Sequence, residues 1–340
     1  AAWAAGAVAV AVALAVAIAT MVHSFRTTVE HWTAAGLRAD VWVRPLTAAT
    51  GAWVGRLDPE IVTVAERLFG PEVVDPFYTV VIEHEGRPLS FAGAAFDVVQ
   101  HFGSVPFPGR GSGEVFAEAL RRRGAVVNEP FANRFGRGEG DRLRLALPGG
   151  PLEVEIVGVF TDYSRSHGLV VVDRALFLPH FPGRGPEDMA LFLPAGADAA
   201  AARDRLLEAV RGRFLVEALL NRELKRAVLA AFERTFAITT AMYLVAAVVS
   251  VAAVLTVLFT LIGERRRELA TLRALGGSRR QLVAMVVAEA GLLGAAAAAA
   301  GTAAGLVVGV ILVKVVNLQS FGWSLELVLP WSSLAWMAAW

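Results

Sequence analysis

The sequence predicts an α-helical transmembrane bundle with a large α+β domain inserted outside the membrane. Hydrophobic residues make up 56% of the chain, and its mean hydropathy of +0.55 exceeds what is usual for a soluble domain. The apolar residues are concentrated in long blocks that carry almost no charge, and one long segment of mixed composition separates the first two blocks. Together these observations favour a membrane protein with a folded extracytoplasmic part.

Each apolar block is long enough to cross a bilayer, whose core of about 30 Å needs roughly 20 residues of helix. We predict transmembrane helices at residues 1–22, 235–262 and 282–316, and residues 331–340 begin a fourth. The chain opens inside a hydrophobic run without a basic flank, unlike a signal peptide. We therefore expect a fragment of a longer protein, with membrane segments missing at both ends.

The arginines predict the orientation. The short connection 263–281 holds six arginines against two glutamates, a net charge of +4. Short loops with such an excess stay in the cytoplasm. We therefore expect a multi-pass protein of the bacterial inner membrane, in which residues 23–234 and the loop 317–330 lie on the outer side.

The outer segment 23–234 contains no cysteine, so it must fold around its own core. Its hydrophobic periods alternate between strand-like and helical, which predicts a mixed α+β domain. Predicted strands cover 39–44, 73–83, 88–98, 125–128, 141–147, 152–160, 169–173 and 189–193. Predicted helices cover 59–69, 114–123, 129–135 and 198–214, and a helical pattern runs from 217 to 235 into the second span.

Several kinds of chemistry are excluded. The chain has no Gly-Lys-Ser/Thr sequence, so it does not bind ATP through a Walker motif. Its six histidines show no metal-ligand spacing, and we expect no cofactor in this chain and no nucleic-acid partner. Asp162, Ser164 and His167 lie close together, but nothing near them resembles a nucleophile elbow. The chain is therefore expected to be non-catalytic.

The connection 263–281 predicts a structured element. Leu269, Leu272 and Leu275 fall at helical spacing on one face, and the arginines occupy the other faces. Gly276 and the glycine after it end this helix, and Ser278 with Gln281 forms a capping-box sequence that starts the third span. A basic helix lying on anionic lipid is the alternative interpretation from the residues alone.

The third predicted span has two notable features. Gly301, Gly305 and Gly309 lie on one helix face at intervals of four, and Gly294 continues this stripe of small residues. Small residues let helices approach closely in lipid, so we predict helix packing there. Glu289 is an ionisable group about 15 Å along the helix. A structural polar contact and a proton-relay role are its two interpretations.

The loop sequence Glu-Arg-Arg-Arg-Glu-Leu-Ala-Thr-Leu-Arg-Ala-Leu-Gly-Gly-Ser-Arg-Arg-Gln-Leu at 264–282, followed by Glu289, resembles the core signature of FtsX/MacB-like permeases. These are the membrane subunits of type VII ABC transporters. Ser24-Phe25-Arg26, the run Asn-Leu-Gln-Ser-Phe-Gly-Trp at 317–323, and the segments 157–163 and 170–173 resemble the second module of the large duplicated branch. Of the last span and basic tail that usually follow in this branch, we expect only the start of the span, at residues 331–340, in this sequence.

The resemblance implies a role for each part. The loop helix would be a coupling helix that docks on a cytoplasmic ABC ATPase dimer, which binds ATP and Mg²⁺. The coupling residues would be Arg267, Glu268, Leu269, Leu272, Arg273, Leu275 and Gly276. Further implied partners are a second permease half or subunit, membrane lipid and a periplasmic protein. The implied activity is mechanotransmission that exports or extracts a lipid or another hydrophobic compound.

Two other function classes stay open. An FtsX-type regulator would use the same loop to activate a periplasmic enzyme without transport. A two-span sensor receptor would need a long cytoplasmic signalling region after its second span, whereas here another apolar span follows after about 19 residues. The transported substrate is not indicated by the sequence.

Overall fold

The computed structural model describes residues 2–46, 55–103, 105–163, 165, 167–231 and 266–331, together with positions 245, 248, 252, 255, 259 and 263. The chain divides into two compact units. We call the first the helical unit; it comprises Ala1–Thr28, Ala231–Asn317 and Leu325–Trp340. The second, the sheet unit, comprises Val29–Ala230 and Leu318–Ser324.

The helical unit contains long apolar helices. Helix α1 covers Ala2–Gly36, of which the part up to Thr28 belongs to this unit. Helix α10 covers Arg279–Ile311 and continues through a π-helical turn, Leu312–Val316. Among the described residues, these two are the helices long and apolar enough to cross a membrane. The predicted second span 235–262 lies largely outside the described residues, although its described positions are helical, and the fourth predicted span lies outside them except for Trp331.

The helix that contains the predicted third span extends beyond residue 316. The helix continues without a break from the π-helical turn into α11, Asn317–Phe321. Lys314, inside the π-helical turn, donates a hydrogen bond from Nζ to the carbonyl oxygen of Leu325 at 3.0 Å. The change from apolar to polar residues at Lys314 therefore does not end the helix, and the predicted outer loop begins as helix.

The sheet unit is built on a mixed sheet of nine described strands in the order β5-β6-β4-β7-β3-β2-β8-β1-β9. Strands β3 and β7 pair in parallel, as do β4 and β6, whereas the other neighbours are antiparallel. The strands are β1 Val41–Pro45, β2 Val74–His84, β3 Arg87–Ala94, β4 Ala125–Asn128, β5 Arg142–Leu147, β6 Gly150–Phe160, β7 Leu169–Asp173, β8 Asp188–Leu191 and β9 Val216–Leu220.

Helices cover the sheet and create separate core regions. One region lies between β1, β8 and β9 and two helices, around Ile61 and Leu206. Another packs Phe91, Phe131 and Phe177 on the opposite half of the sheet. The sheet-unit helices are α2 Pro59–Phe69, α3 Phe96–Phe102, α4 Ser112–Arg122, α5 Glu129–Phe135, α6 Arg174–Phe177, α7 Ala199–Val210 and α8 at 221–231. Helices and strands follow one another in mixed order along the chain, which agrees with the predicted α+β domain.

Capping side chains set the starts of helices α2 and α5, both of which were predicted from the sequence. Asp58 precedes α2 and accepts a hydrogen bond from the backbone N–H of Glu60 at 2.9 Å. Asn128 precedes α5 and accepts from the backbone N–H of Phe131 at 3.1 Å. Each cap satisfies an N–H that has no partner inside the first helical turn.

Two predicted elements are wrong. The strand predicted at 88–98 ends at Ala94, and α3 begins at Phe96, because Asp75 and Asp173 from neighbouring strands accept from the N–H groups of Ala95 and Phe96. The helix predicted from residue 217 is strand β9 up to Leu220, because its backbone pairs with β1 at the edge of the sheet. Long-range partners override the local period in both cases.

Candidate functional site

The basic loop contains a short helix, α9, at Arg266–Ala274, as predicted from the leucine spacing. Gly276 ends it with φ of 97°, a left-handed conformation that residues with a Cβ rarely adopt. The N–H of Gly276 donates to the carbonyl of Arg273 at 3.2 Å, and that of Gly277 donates to Leu272 at 3.1 Å. These bonds close the helix end and turn the chain towards α10.

The start of α10 has the predicted capping box. Gln281 donates its backbone N–H to Ser278 Oγ at 3.3 Å, and Gln281 Oε1 accepts from the Ser278 N–H at 2.9 Å. Helix α9 is therefore joined to a long apolar helix by a four-residue turn whose two ends are both held by hydrogen bonds. Such a connection can transmit a displacement of α9 to α10.

The two described leucines of this loop, Leu272 in α9 and Leu275 just after it, are exposed within the helical unit. Leu272 is 40% exposed and Leu275 is 80% exposed. Glu268 and Arg273 are also exposed, whereas the side chains of Arg267 and Leu269 lie outside the described part of the structure. These two leucines are therefore accessible for contact with another molecule. Their role in binding an ATPase stays a prediction.

The glycine stripe of α10 lies against α1 inside the helical unit. A Cβ built on Gly301 would lie 2.5 Å from the carbonyl oxygen of Ala9, and one on Gly305 would lie 2.6 Å from that of Ala13. At Gly309 the nearest atom is Thr20 Cβ at 3.1 Å. No side chain fits at the first two positions unless the helices separate.

Gly294, at the N-terminal end of the stripe, lacks the close contact with α1 seen at the other three glycines. A Cβ built on Gly294 meets no atom of the described residues within 4 Å, so packing at that position stays a prediction. Glu289 is half-buried in α10 and has an interaction partner. Its structural and proton-relay interpretations both stay open.

The residues that resemble a hydrolase set have structural partners. Asp162 is buried and accepts a hydrogen bond from Asn128 Nδ2 at 3.3 Å. His167 Nε2 lies 2.8 Å from Oγ of Ser90, a fully buried residue of β3. Ser164 lies outside the described residues. In the described part of the chain, no three His, Asp or Glu side chains are grouped to hold a metal ion.

Two aspartates of the sheet unit have perturbed acidity. Burial raises the pKa of Asp188 from 3.8 to about 7, and the nearby carboxylates of Glu187 and Asp75 add to this effect while Arg165 opposes it. Burial also raises the pKa of Asp75 to about 6, against the lowering effect of its hydrogen bond from Ala95. Both residues are half-buried in neighbouring strands, β8 and β2. We therefore expect the stability of the domain to depend on pH near neutrality.

Sequence reasoning gave no role to the polar residues that organise the loop after α10. Ser24 of α1 both donates to the carbonyl of Val328 and accepts from its N–H, each at 3.0 Å. Thr28 accepts from the N–H of Glu326 at 3.2 Å. In the sheet unit, the Glu129 carboxylate accepts a hydrogen bond from the Ser324 N–H at 2.9 Å. Ser24 and the run 317–323 lie in stretches that resembled the permease family, which was the only available signal.

Two protein-family models together match most of the chain. Residues 1–209 match the family described as MacB-like periplasmic core domain, and residues 240–339 match the FtsX-like permease C-terminal family. The ABC transporter permease protein Rv0987 of Mycobacterium tuberculosis is 30% identical over 309 residues, which cover 90% of this chain. The same alignment covers 36% of that relative, so the chain spans about a third of its length.

A solved structure gives a weaker match. The extracellular domain of the noncanonic ABC-type transporter YknZ from Gram-positive bacteria aligns with 53% of this chain and 98% of its own. The TM-score is 0.35 and the sequence identity is 13%.

Proposed function

Because the chain belongs to the FtsX/MacB-like permease family, we propose that it is part of the membrane subunit of an ABC transporter. In this proposal α9 docks on a cytoplasmic ATPase dimer, which binds ATP and Mg²⁺. The residues at the contact would be Arg267, Glu268, Leu269, Leu272, Arg273, Leu275 and Gly276. The observation that carries the proposal is the pair of exposed leucines, Leu272 on the basic helix α9 and Leu275 just after it, next to a hydrogen-bonded turn that leads into α10.

The mechanism follows from how α9 is attached. Docking would hold α9 on the ATPase, so closure of the dimer would move α9 as a rigid body. The hydrogen-bonded turn at Gly276 and Ser278 would pass this movement to α10. Close packing of Gly301 and Gly305 on α1 would pass it on, since backbones in direct contact cannot slide independently.

We place the protein in the bacterial inner membrane with several spans, with residues 23–234 and 317–330 on the outer side. A second permease half or subunit would complete the transmembrane part. The proposed cargo is a lipid or another hydrophobic compound, taken from the membrane or the periplasm and exported or extracted. The cargo rests on the family resemblance alone. An FtsX-type regulator of a periplasmic enzyme is the alternative, and it shares the same coupling helix.

The test of α9 is the variant Leu272→Asp in the full-length protein, co-expressed with its ATPase. Loss of one buried leucine weakens binding by roughly 1.5–3 kcal/mol, and a buried unpaired carboxylate adds a desolvation cost. Since 1.4 kcal/mol is a factor of ten, ATPase recovery in a pull-down should fall at least about tenfold. Membrane insertion of the permease should not change.

The matched control is Ala270→Asp. Ala270 is also exposed on α9, but two residues correspond to about 200° around a helix, so it faces away from Leu272. The same charge there should leave ATPase recovery near the wild-type amount. Equal recovery for all three proteins would contradict docking through the leucine face. Equal loss in both variants would indicate a response to charge alone, as expected for a helix on lipid.

A further inference from the structure

Residues 318–324, which follow α10 and fold as part of the sheet unit, form a segment that we call the strap. The strap ends α11 with a turn in which the N–H of Gly322 donates to the carbonyl of Leu318 at 2.8 Å. Gly322 has φ of 80°, and a Cβ there would lie 3.2 Å from Pro130, the second residue of α5. The close approach of the strap to α5 therefore requires glycine at this position.

The N–H, the hydroxyl and the carbonyl of Ser324 each form a hydrogen bond with another residue of the sheet unit. Glu129 at the start of α5 accepts from the Ser324 N–H at 2.9 Å and from its hydroxyl at 3.0 Å. Tyr163, after β6, donates its hydroxyl to the Ser324 carbonyl at 2.9 Å. Two residues before Ser324, the Gly322 carbonyl accepts a hydrogen bond from Asn133 Nδ2 at 2.7 Å. Hydrogen bonds to an ionised carboxylate are stronger than neutral ones, so Glu129 anchors the strap.

Aromatic contacts extend this attachment. Trp323 is 8% exposed, and its ring meets that of Tyr163 edge-on with centroids 5.6 Å apart. Tyr163 in turn meets Trp32 of α1 edge-on at 5.9 Å. The three rings form a continuous row inside the sheet unit, and each edge-to-face pair adds to the apolar contact.

We propose that the strap is a mechanical link through which α10 acts on the sheet unit, separate from α1 and α8. The chain passes directly from α10 through Asn317 into the strap, so any displacement of the helix reaches α5 through Ser324 and Glu129. The strap is bound to the sheet unit through the carbonyls of Gly322 and Ser324, through the N–H and hydroxyl of Ser324, and through the buried ring of Trp323. A connection that served only as a flexible linker would not need these contacts. This inference rests on the proposed function, since it assumes that ATP hydrolysis moves α10.

The contact itself is tested by hydrogen exchange of the full-length protein in lipid nanodiscs. In Glu129→Ala the Ser324 amide should exchange at least about tenfold faster than in the wild type. The matched control is Gln319→Ala, which removes an exposed side chain of the same strap and should leave that rate unchanged. Equal Ser324 exchange in all three proteins would overturn the proposed attachment.

The link is tested by adding ATP to the permease–ATPase complex and following exchange in α5. The wild type should show a change in α5, Trp323→Ala should lose most of it while still binding the ATPase, and Trp323→Phe should restore it. An α5 response that persists in Trp323→Ala overturns the strap inference alone. No ATP-dependent change anywhere in the sheet unit of the wild type overturns the proposed function as well.

Discussion

Substitution of Gly305 by alanine should loosen the contact between α10 and α1. A Cβ at this position would lie 2.6 Å from the Ala13 carbonyl oxygen and 2.7 Å from Val16 Cβ. Non-bonded carbon atoms sit about 3.5–4.0 Å apart, so the helices must separate by about 1 Å. Overpacking of this kind costs about 1–3 kcal/mol. Because one neighbouring atom belongs to the backbone, a change of side-chain rotamer cannot relieve the clash.

The glycine stripe supplies its own graded controls. Gly309→Ala should cost less, because the nearest atom to its Cβ is a side-chain carbon at 3.1 Å. Gly294→Ala should be neutral or stabilising, since its Cβ meets no described atom and alanine favours helix by about 1 kcal/mol. Thermal unfolding of the full-length protein in detergent measures the series. Equal effects at the three positions, or the largest loss at Gly294, would refute the packing argument.

Two further predictions concern topology and pH. The chain has no cysteine of its own, so single cysteines can be placed at Arg121 and at Arg273 and treated with a membrane-impermeant maleimide. The cysteine at position 121 should be labelled in intact cells, whereas the one at position 273 should be labelled only after lysis. Labelling of position 273 in intact cells would contradict the predicted orientation. The raised pKa of Asp188, about 7, means that the folded state holds a proton that the unfolded state has lost above pH 3.8, so stability should fall as pH rises towards 7. Asp188→Asn should therefore raise the melting temperature at pH 8 by about 2–4 °C for each kcal/mol gained, with a smaller gain at pH 5, and an equal gain at both pH values would contradict the assignment.

Elements with local signals could be predicted from the sequence. Helices α2 and α5 begin after Asp58 and Asn128, whose side chains cap them within three residues. The capping box at Ser278 and the turn at Gly276 are local in the same sense. Each depends on residues that are near neighbours in the chain, so the spacing alone indicates the structure.

Elements with distant partners could not be predicted. Helix α3 starts where it does because Asp75 and Asp173 accept from its first N–H groups, and these residues are 20 and 77 positions away. Strand β9 has a helical composition, but it pairs with β1 at the sheet edge. The bond between Ser324 and Glu129 joins residues 195 positions apart, so no local pattern could indicate the strap.

The central claim is that Leu272 of α9 contacts an ABC ATPase. A photo-crosslinking amino acid placed at position 272 of the full-length permease, in membranes that contain its ATPase, tests this contact directly. The account predicts a covalent adduct with the ATPase at position 272 and little or none at position 270, on the opposite side of the helix. Adducts at both positions with lipid alone, and none with the ATPase, would contradict it.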